Sequence, residues 1–294
     1  MKTIKNYTYT FSKNNKPALY VNPKEEVKFI TLDCFSGQVK KNLDTVFKHD
    51  REKTNPATGP LYINGAKKGD VLVVKIKKIN IAKKGVVTTV ENCGPLWKVS
   101  GPRTRIINIK DGNASFNNHS WTVKPMIGVI GTASNLDYGT GYVFNGGGNM
   151  DNNTIIEKTT VYLPVRVDGG LLSIGDLHAS MGDGEVVGTG IEINGEVIVE
   201  VDLIKNFKLN WPINETKDAY YINASGKTVD KAIENGYKEL HRLIKVSYGF
   251  DDGDASLYMT MRAIISVNQA CLSPLGGGNS IRIGMPKEKG FKLI

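Results

Sequence analysis

From the N-terminus to about residue 210, the apolar runs of this chain are rich in β-branched residues and end at Gly, Pro, Asn or Asp: ALYVNP, EVKFITLDCF, GDVLVVKIKKINI, GVVTTV, RTRIINI, TTVYLPVRV and EVIVEVDLI. Side chains branched at Cβ fit a pleated surface, and turn formers at each end set the strand length. No stretch between these runs carries the apolar spacing of a helix. Residues 1–210 are therefore expected to form a mainly β, sandwich or barrel-like core with long glycine-rich connections.

Beyond residue 210 the period changes. TVDKAIENGYKELHRLIKV places Val229, Ala232, Ile233, Tyr237, Leu240 and Ile244 at helical spacing, with Thr228 as N-cap, Asp230 in the first turn and His241 beside the apolar stripe. A second helix is expected from Asp252 or Asp254 through ASLYMTMRAII, where the leading acids suit the helix dipole, and SVNQACLS and NSIRIGMPK read as closing strands. Residues 211–294 thus read as a smaller α+β portion with two helices on one side of a sheet.

The chain has 294 residues, enough for a substantial core, and its 40% apolar and 23% charged content is ordinary for a soluble protein. Its formal charge of +9 comes from scattered lysines, with no long basic run and little aromatic interleaving, which argues against a nucleic-acid partner. No apolar window is long enough to span a bilayer and the first residues lack a signal-peptide core, so a soluble, cytoplasmic protein is expected. Cys34, Cys93 and Cys271 are odd in number and far apart, which suits small buried residues better than a disulfide framework.

One stretch concentrates chemistry. GGLLSIGDLHASMGDGEVVGTGIE, residues 169–192, holds Asp176, His178, Asp183, Glu185 and Glu192 in a chain with four histidines. Alternation along LLSIGDLHA sends Asp176 and His178 to one strand face, and VVGTGIEI can return Glu192 to the same place. Acids so crowded repel one another unless a cation lies among them, and a divalent metal is the simplest. The alternative is a hairpin whose acids are solvated turn residues. Two other segments offer candidates. Asp33 ends a buried strand, where it either reaches a cleft or caps the next turn. Residues 124–151 form a long connection ending in GGGNMD; its glycines let the backbone approach a ligand, but it lacks the Lys-Ser/Thr ending of a nucleotide site.

Taken in order, DCFSGQ (Asp33 to Gln38), NPATGP (Asn55 to Pro60), PMIGVIG (Pro125 to Gly131), GGNMD (Gly147 to Asp151), LPV (Leu163 to Val165), GDLHASMGDGE and GTGIE resemble the acetamidase/formamidase family, as does the ending DASLYMTMRAIISVNQACLS with IRIGMPK. The resemblance covers nearly the whole chain. It implies a β-rich fold, hydrolysis of short amides to carboxylate and ammonia, a bound divalent metal, zinc or calcium, and a homodimer. The matching positions are Asp33, Asn149, Asp151, Asp176, His178, Asp183, Glu185 and Glu192. Among them His178, Asp176 and Asp33 are assigned as metal ligands with Glu192; Asp151 ligates or orients a ligand. Glu185, in preference to Asp183, would move the proton, with Asn149 or the Gly146–Gly148 amides at the oxyanion. Gly146 stands where many members carry histidine, which puts the substrate in question. The competing readings are a metal-binding β protein without catalysis and a hydrolase of another small amide.

Overall fold

The computed structural model describes residues 1–270 and 279–294. Among the described residues two large sheets dominate. The first has nine strands in the order Lys2–Ile4, Glu26–Thr31, Gly195–Ile204, Val71–Ile81, Thr160–Pro164, Ile213–Glu215, Ala219–Gly226, Asn279–Pro286 and Ile264–Gln269. Its centre shows the alternation that the sequence announces. Along GEVIVEVDLI the valines 197, 199 and 201 point inward and are fully buried, while Glu200 on the other face pairs with Lys75 and Lys77. The second sheet has twelve strands, and its middle is Leu172–His178 flanked by Met126–Gly131.

One core draws from both sheets: Leu72, Val74, Val161 and Val199 from the first join Ile127, Ile130, Ile174 and Leu177 from the second. Each such side chain stabilises the fold by roughly 1.5–3 kcal/mol on burial. The expected β-rich sandwich is what forms. The first sheet runs across residue 210 without a break, because Thr160–Pro164 pairs with Ile213–Glu215. What changes there is the core. On the C-terminal strands a second cluster forms, in which Ile222, Ala224, Ile281 and Ile283 meet Ala232, Leu240, Leu243 and Ile244 of the helix Val229–Tyr248.

That helix starts as expected, with the Thr228 side chain accepting from the Lys231 N–H, and ends at Gly249, whose φ of 73° is left-handed. Val229 departs from expectation: at the first helical position it remains 43% exposed. The second helix, Asp252–Arg262, is capped by Asp251 and stops before the expected Ile264 and Ile265. Those two isoleucines instead open the strand Ile264–Gln269, paired with Asn279–Pro286, where β-branched side chains fit better. The final three residues of SVNQACLS lie outside the described residues.

Candidate metal and active site

The site is built where the strand Leu172–His178 changes partner. On one side, Leu172–Gly175 pairs with Ala57–Ile63, whereas Leu177–His178 pairs with Glu192–Ile193. Asp176 sits at the switch with a left-handed φ of 54°. The change of partner opens the sheet locally, and side chains rather than backbone ladder fill the space. Asp151 and Glu185 also have left-handed backbones, at φ 46° and 43°. Such conformations cost about 1 kcal/mol or more each in non-glycine residues, so three of them at one centre mark a fold that holds these acids against local preference.

Glycine makes room for the cluster. A Cβ on Gly128, across from Asp176, would lie 2.4 Å from Asp151 Oδ1 and 2.8 Å from Asp176 Oδ2; one on Gly190 would lie 2.7 Å from His178 Nδ1. His178 Nε2 is 3.1 Å from Glu192 Oε1, 3.6 Å from Asp176 Oδ1 and 3.9 Å from Asp151 Oδ1. Asp151, Asp176, His178, Glu185 and Glu192 are all at most 6% exposed. Donor atoms of Asp151, His178 and Glu185 lie within 4.8 Å of one another, and so do those of Cys34, Asp176 and Glu192.

The polar atoms in this cluster are largely without partners. Asp151 Oδ1, Asp176 Oδ1, Glu192 Oε2 and both ring nitrogens of His178 are buried with no hydrogen bond of acceptable geometry. Leaving so many groups unpaired out of water is costly, and a cation among them removes the penalty. One imidazole and several carboxylates make a donor set suited to zinc, and the excess of oxygen suits calcium as well. The residues present therefore fit a divalent metal.

Electrostatics agree. Burial pushes the Glu185 carboxyl up to about 7 and that of Glu192 up to about 8, each against the pull of His178 and with a further push from Asp176. Asp151 is also held well above the carboxylate range by burial and by Glu185. Burial alone would drive the proton off His178, but Glu192 and Asp176 outweigh it and raise its pKa. Without a metal these groups hold protons where a cation would sit. Burial and Glu192 push the Cys34 thiol up, away from the thiolate that nucleophilic catalysis needs.

Not every residue singled out in the sequence joins the cluster. Asp33 takes the capping position: its Oδ1 accepts from the N–H groups of Phe35 and Gly37, so the carboxylate expected as a ligand closes a turn beside Cys34. Asp183 faces outward at 45% side-chain exposure, paired with Arg282 and accepting from Asn153, because the turn aims Glu185 inward in its place. Asn149 lies at the cavity edge, its Oδ1 accepting from Asn55 Nδ2. The Gly146–Gly148 amides are not at the site. Gly147–Asn149 is a short paired strand, and Cβ atoms on Gly147 and Gly148 would meet the carbonyls of Ile130 and Tyr142 at 2.3 and 2.1 Å. Gly146 packs against Phe144, whose ring would meet a Cβ at 2.4 Å, so a histidine at this position has no space without moving that ring.

Gln269 has no signal in the sequence that marks it for the site. It lies at the end of Ile264–Gln269, and its Nε2 donates to Asp151 and, at 3.2 Å, to Glu185 Oε2. Gly184 bridges to the same strand end, with Gly184 N–H to the Asn268 carbonyl at 3.0 Å and Ala270 N–H to the Gly184 carbonyl at 2.7 Å. The C-terminal portion thus sets the position of Glu185. A cavity of about 120 Å³ opens onto Asp151, Asp176, Glu185 and Glu192 and is walled further out by Phe35, Phe47 and His49.

A two-sheet β protein with a buried imidazole among carboxylates and a small cavity above them is built as a hydrolase of small molecules would be. The chain belongs to the acetamidase/formamidase family: that family's model matches residues 9–137 and 142–253. In structure it is similar to a predicted acetamidase/formamidase from the thermophile Thermoanaerobacter tengcongensis, at 38% identity and a TM-score of 0.92, covering 97% of this chain and 95% of the other. It is also similar to an acetamidase from Bacillus halodurans, at 32% identity and a TM-score of 0.91, covering 97% of each chain. In sequence it is 38% identical over 106 residues to a formamidase of Methylophilus methylotrophus, a match covering 32% of this chain and 26% of that protein. The chain spans at most 61% of the length of the curated relatives it matches.

Proposed function

We propose that this protein hydrolyses the C–N bond of small linear amides, giving a carboxylate and ammonia, at a divalent metal held by Asp151, Asp176, His178 and Glu192. The observation that carries the reading is the set of buried oxygen and nitrogen atoms that face one another without partners. Membership of the acetamidase/formamidase family supports the amide as substrate. Zinc is the first choice of metal, and calcium is the alternative because carboxylate oxygens dominate the donor set.

An amide resists water because nitrogen stabilises the carbonyl and leaves poorly. A divalent cation held by these residues would supply a Lewis acid and would lower the pKa of water from about 15.7 to about 7. The protein's own groups do the rest. Glu185 is a buried carboxylate beside the donor set, so it can take a proton from water and deliver it to the departing ammonia. Gln269 holds that carboxylate in place. Asn149, whose Oδ1 is taken by Asn55, is left with its amide N–H groups to donate to the developing oxyanion. The homodimer implied by the resemblance is part of the same proposal, and sedimentation of the purified protein checks it.

Metal analysis together with ammonia release from formamide, acetamide and propionamide tests the reading. Activity lost on chelation and regained with zinc or calcium supports it; full activity in metal-free protein rejects the metal centre, and no ammonia from any amide by metal-loaded protein rejects the amidase.

A further inference from the structure

A guanidinium is buried behind the turn that carries Glu185. Arg282 lies on the strand Asn279–Pro286, which has a sheet neighbour on each side, and it is opposite Asn223 on one and Ser266 on the other. Two ladders therefore fix its backbone. The side chain is only 7% exposed, although its ion-pair partner Asp183 is 45% exposed. A half-exposed carboxylate is solvated and gains little from a cation, so neutralising Asp183 does not require a buried one. Burying the guanidinium, with Nε left without a hydrogen-bond partner, is costly and calls for another reason.

That reason lies in what its two terminal nitrogens reach. Nη1 donates to Asn268 Oδ1 at 2.9 Å and Nη2 donates to Asp183 Oδ2 at 2.7 Å. Asn268 directly precedes Gln269, whose amide donates to Asp151 and Glu185, and Asp183 stands two residues before Glu185. Asn268 Nδ2 in turn donates to Ser280 Oγ at 3.1 Å, and Ser280 Oγ donates to the carbonyl of Met150, the neighbour of Asp151, at 2.8 Å. One fork thus ties the turn to the strand end and, at one remove, to the segment of Asp151. A planar guanidinium can hold two acceptors in fixed directions, whereas an ammonium is a single point on a flexible stem.

We propose that Arg282 is a positioning residue for the hydrolysis: by holding Asp183 and Asn268 at once, it fixes Glu185 and Gln269 relative to each other and so places the proton-carrying carboxylate beside the donor set. It acts from behind the cavity, through those two partners. The inference rests on the reading of Glu185 as the group that moves the proton, and it deepens that reading by naming what holds Glu185 in register.

The test compares metal-loaded Arg282→Lys and Arg282→Met with the unaltered protein in kcat and KM for formamide and acetamide, in metal content and in melting temperature. Metal content should persist and KM should change little, while kcat falls by about ten- to hundredfold, the scale of a small misplacement of a catalytic group. Arg282→Met combined with Gln269→Leu should lose no more kcat than the worse single variant, because both act on the position of Glu185. Losses that multiply, a lowered melting temperature with kcat intact, or metal lost together with kcat each overturn the inference and leave the amidase standing. Where these variants fail to fold, the half-exposed Asp183 decides: Asp183→Ala should lose more kcat than Asp183→Asn, since only asparagine keeps an acceptor for Nη2, and equal kcat in the two overturns the inference. If the unaltered protein releases ammonia from no amide, the amidase reading falls and takes this one with it.

Discussion

His178 and Glu185 share a cluster but should fail in different ways. His178→Ala removes the imidazole of the donor set and should abolish both metal content and turnover, measured by elemental analysis and ammonia release. Glu185→Gln keeps a side chain that accepts from Gln269 but carries no transferable proton, so metal content should persist while kcat falls by about 10²–10⁴-fold. The same acids predict how the metal-free protein responds to pH. Glu185 and Glu192 bind protons more tightly in the folded state, at about 7 and about 8, than in the unfolded chain at about 4.5. Their contribution to stability is present below about 4.5 and is lost as pH rises through 7 and 8. Denaturant unfolding of metal-free protein should therefore show falling stability from pH 5 to 8. Metal-loaded protein should not show that fall, because a cation takes the place of the protons.

The strand Leu172–His178 would be an ordinary central strand if its partner did not change at Asp176. That change, with Gly128 on the other side, turns a stretch of sheet into a pocket for side chains. The edge strand Ile264–Gln269 acts at the same level by fastening the turn that carries Glu185. Gln269→Leu removes both donated hydrogen bonds and should lower kcat by about tenfold or more while formamide KM changes little; an unchanged kcat would show that Glu185 is placed by its own turn. Asp183→Asn, by contrast, leaves an acceptor but removes the charge that faces Arg282, whose side chain is only 7% exposed, and should lower stability in denaturant unfolding by about 1–3 kcal/mol while ammonia release persists.

The proposed metal would be linked to the fold, because Asp151 lies on a different segment from Asp176, His178 and Glu192 and meets them only in the folded chain. A ligand that binds only the folded state stabilises it by about 4 kcal/mol at a thousandfold excess over its dissociation constant. Chelation should therefore lower the melting temperature by several degrees, with zinc restoring it; a melting temperature indifferent to metal would argue against a centre spanning these segments. No helix among the described residues is long and apolar enough to cross a membrane.

By itself the sequence determined the classes of structure, since those depend on local period and end chemistry. Valines alternating along Gly195–Ile204 and the stripe from Ala232 to Ile244 behind Thr228 need no partner to be read. It also determined which acids lie near His178 along the chain. Tertiary structure alone decided which of them face it. Asp33 and Asp183 belong to matching motifs, yet one caps a turn and the other meets Arg282, because a one-residue difference in a turn reverses where a side chain points. Gln269 reaches Asp151 across 118 residues of chain, and no local period encodes a contact between strand ends brought together only when both sheets have formed.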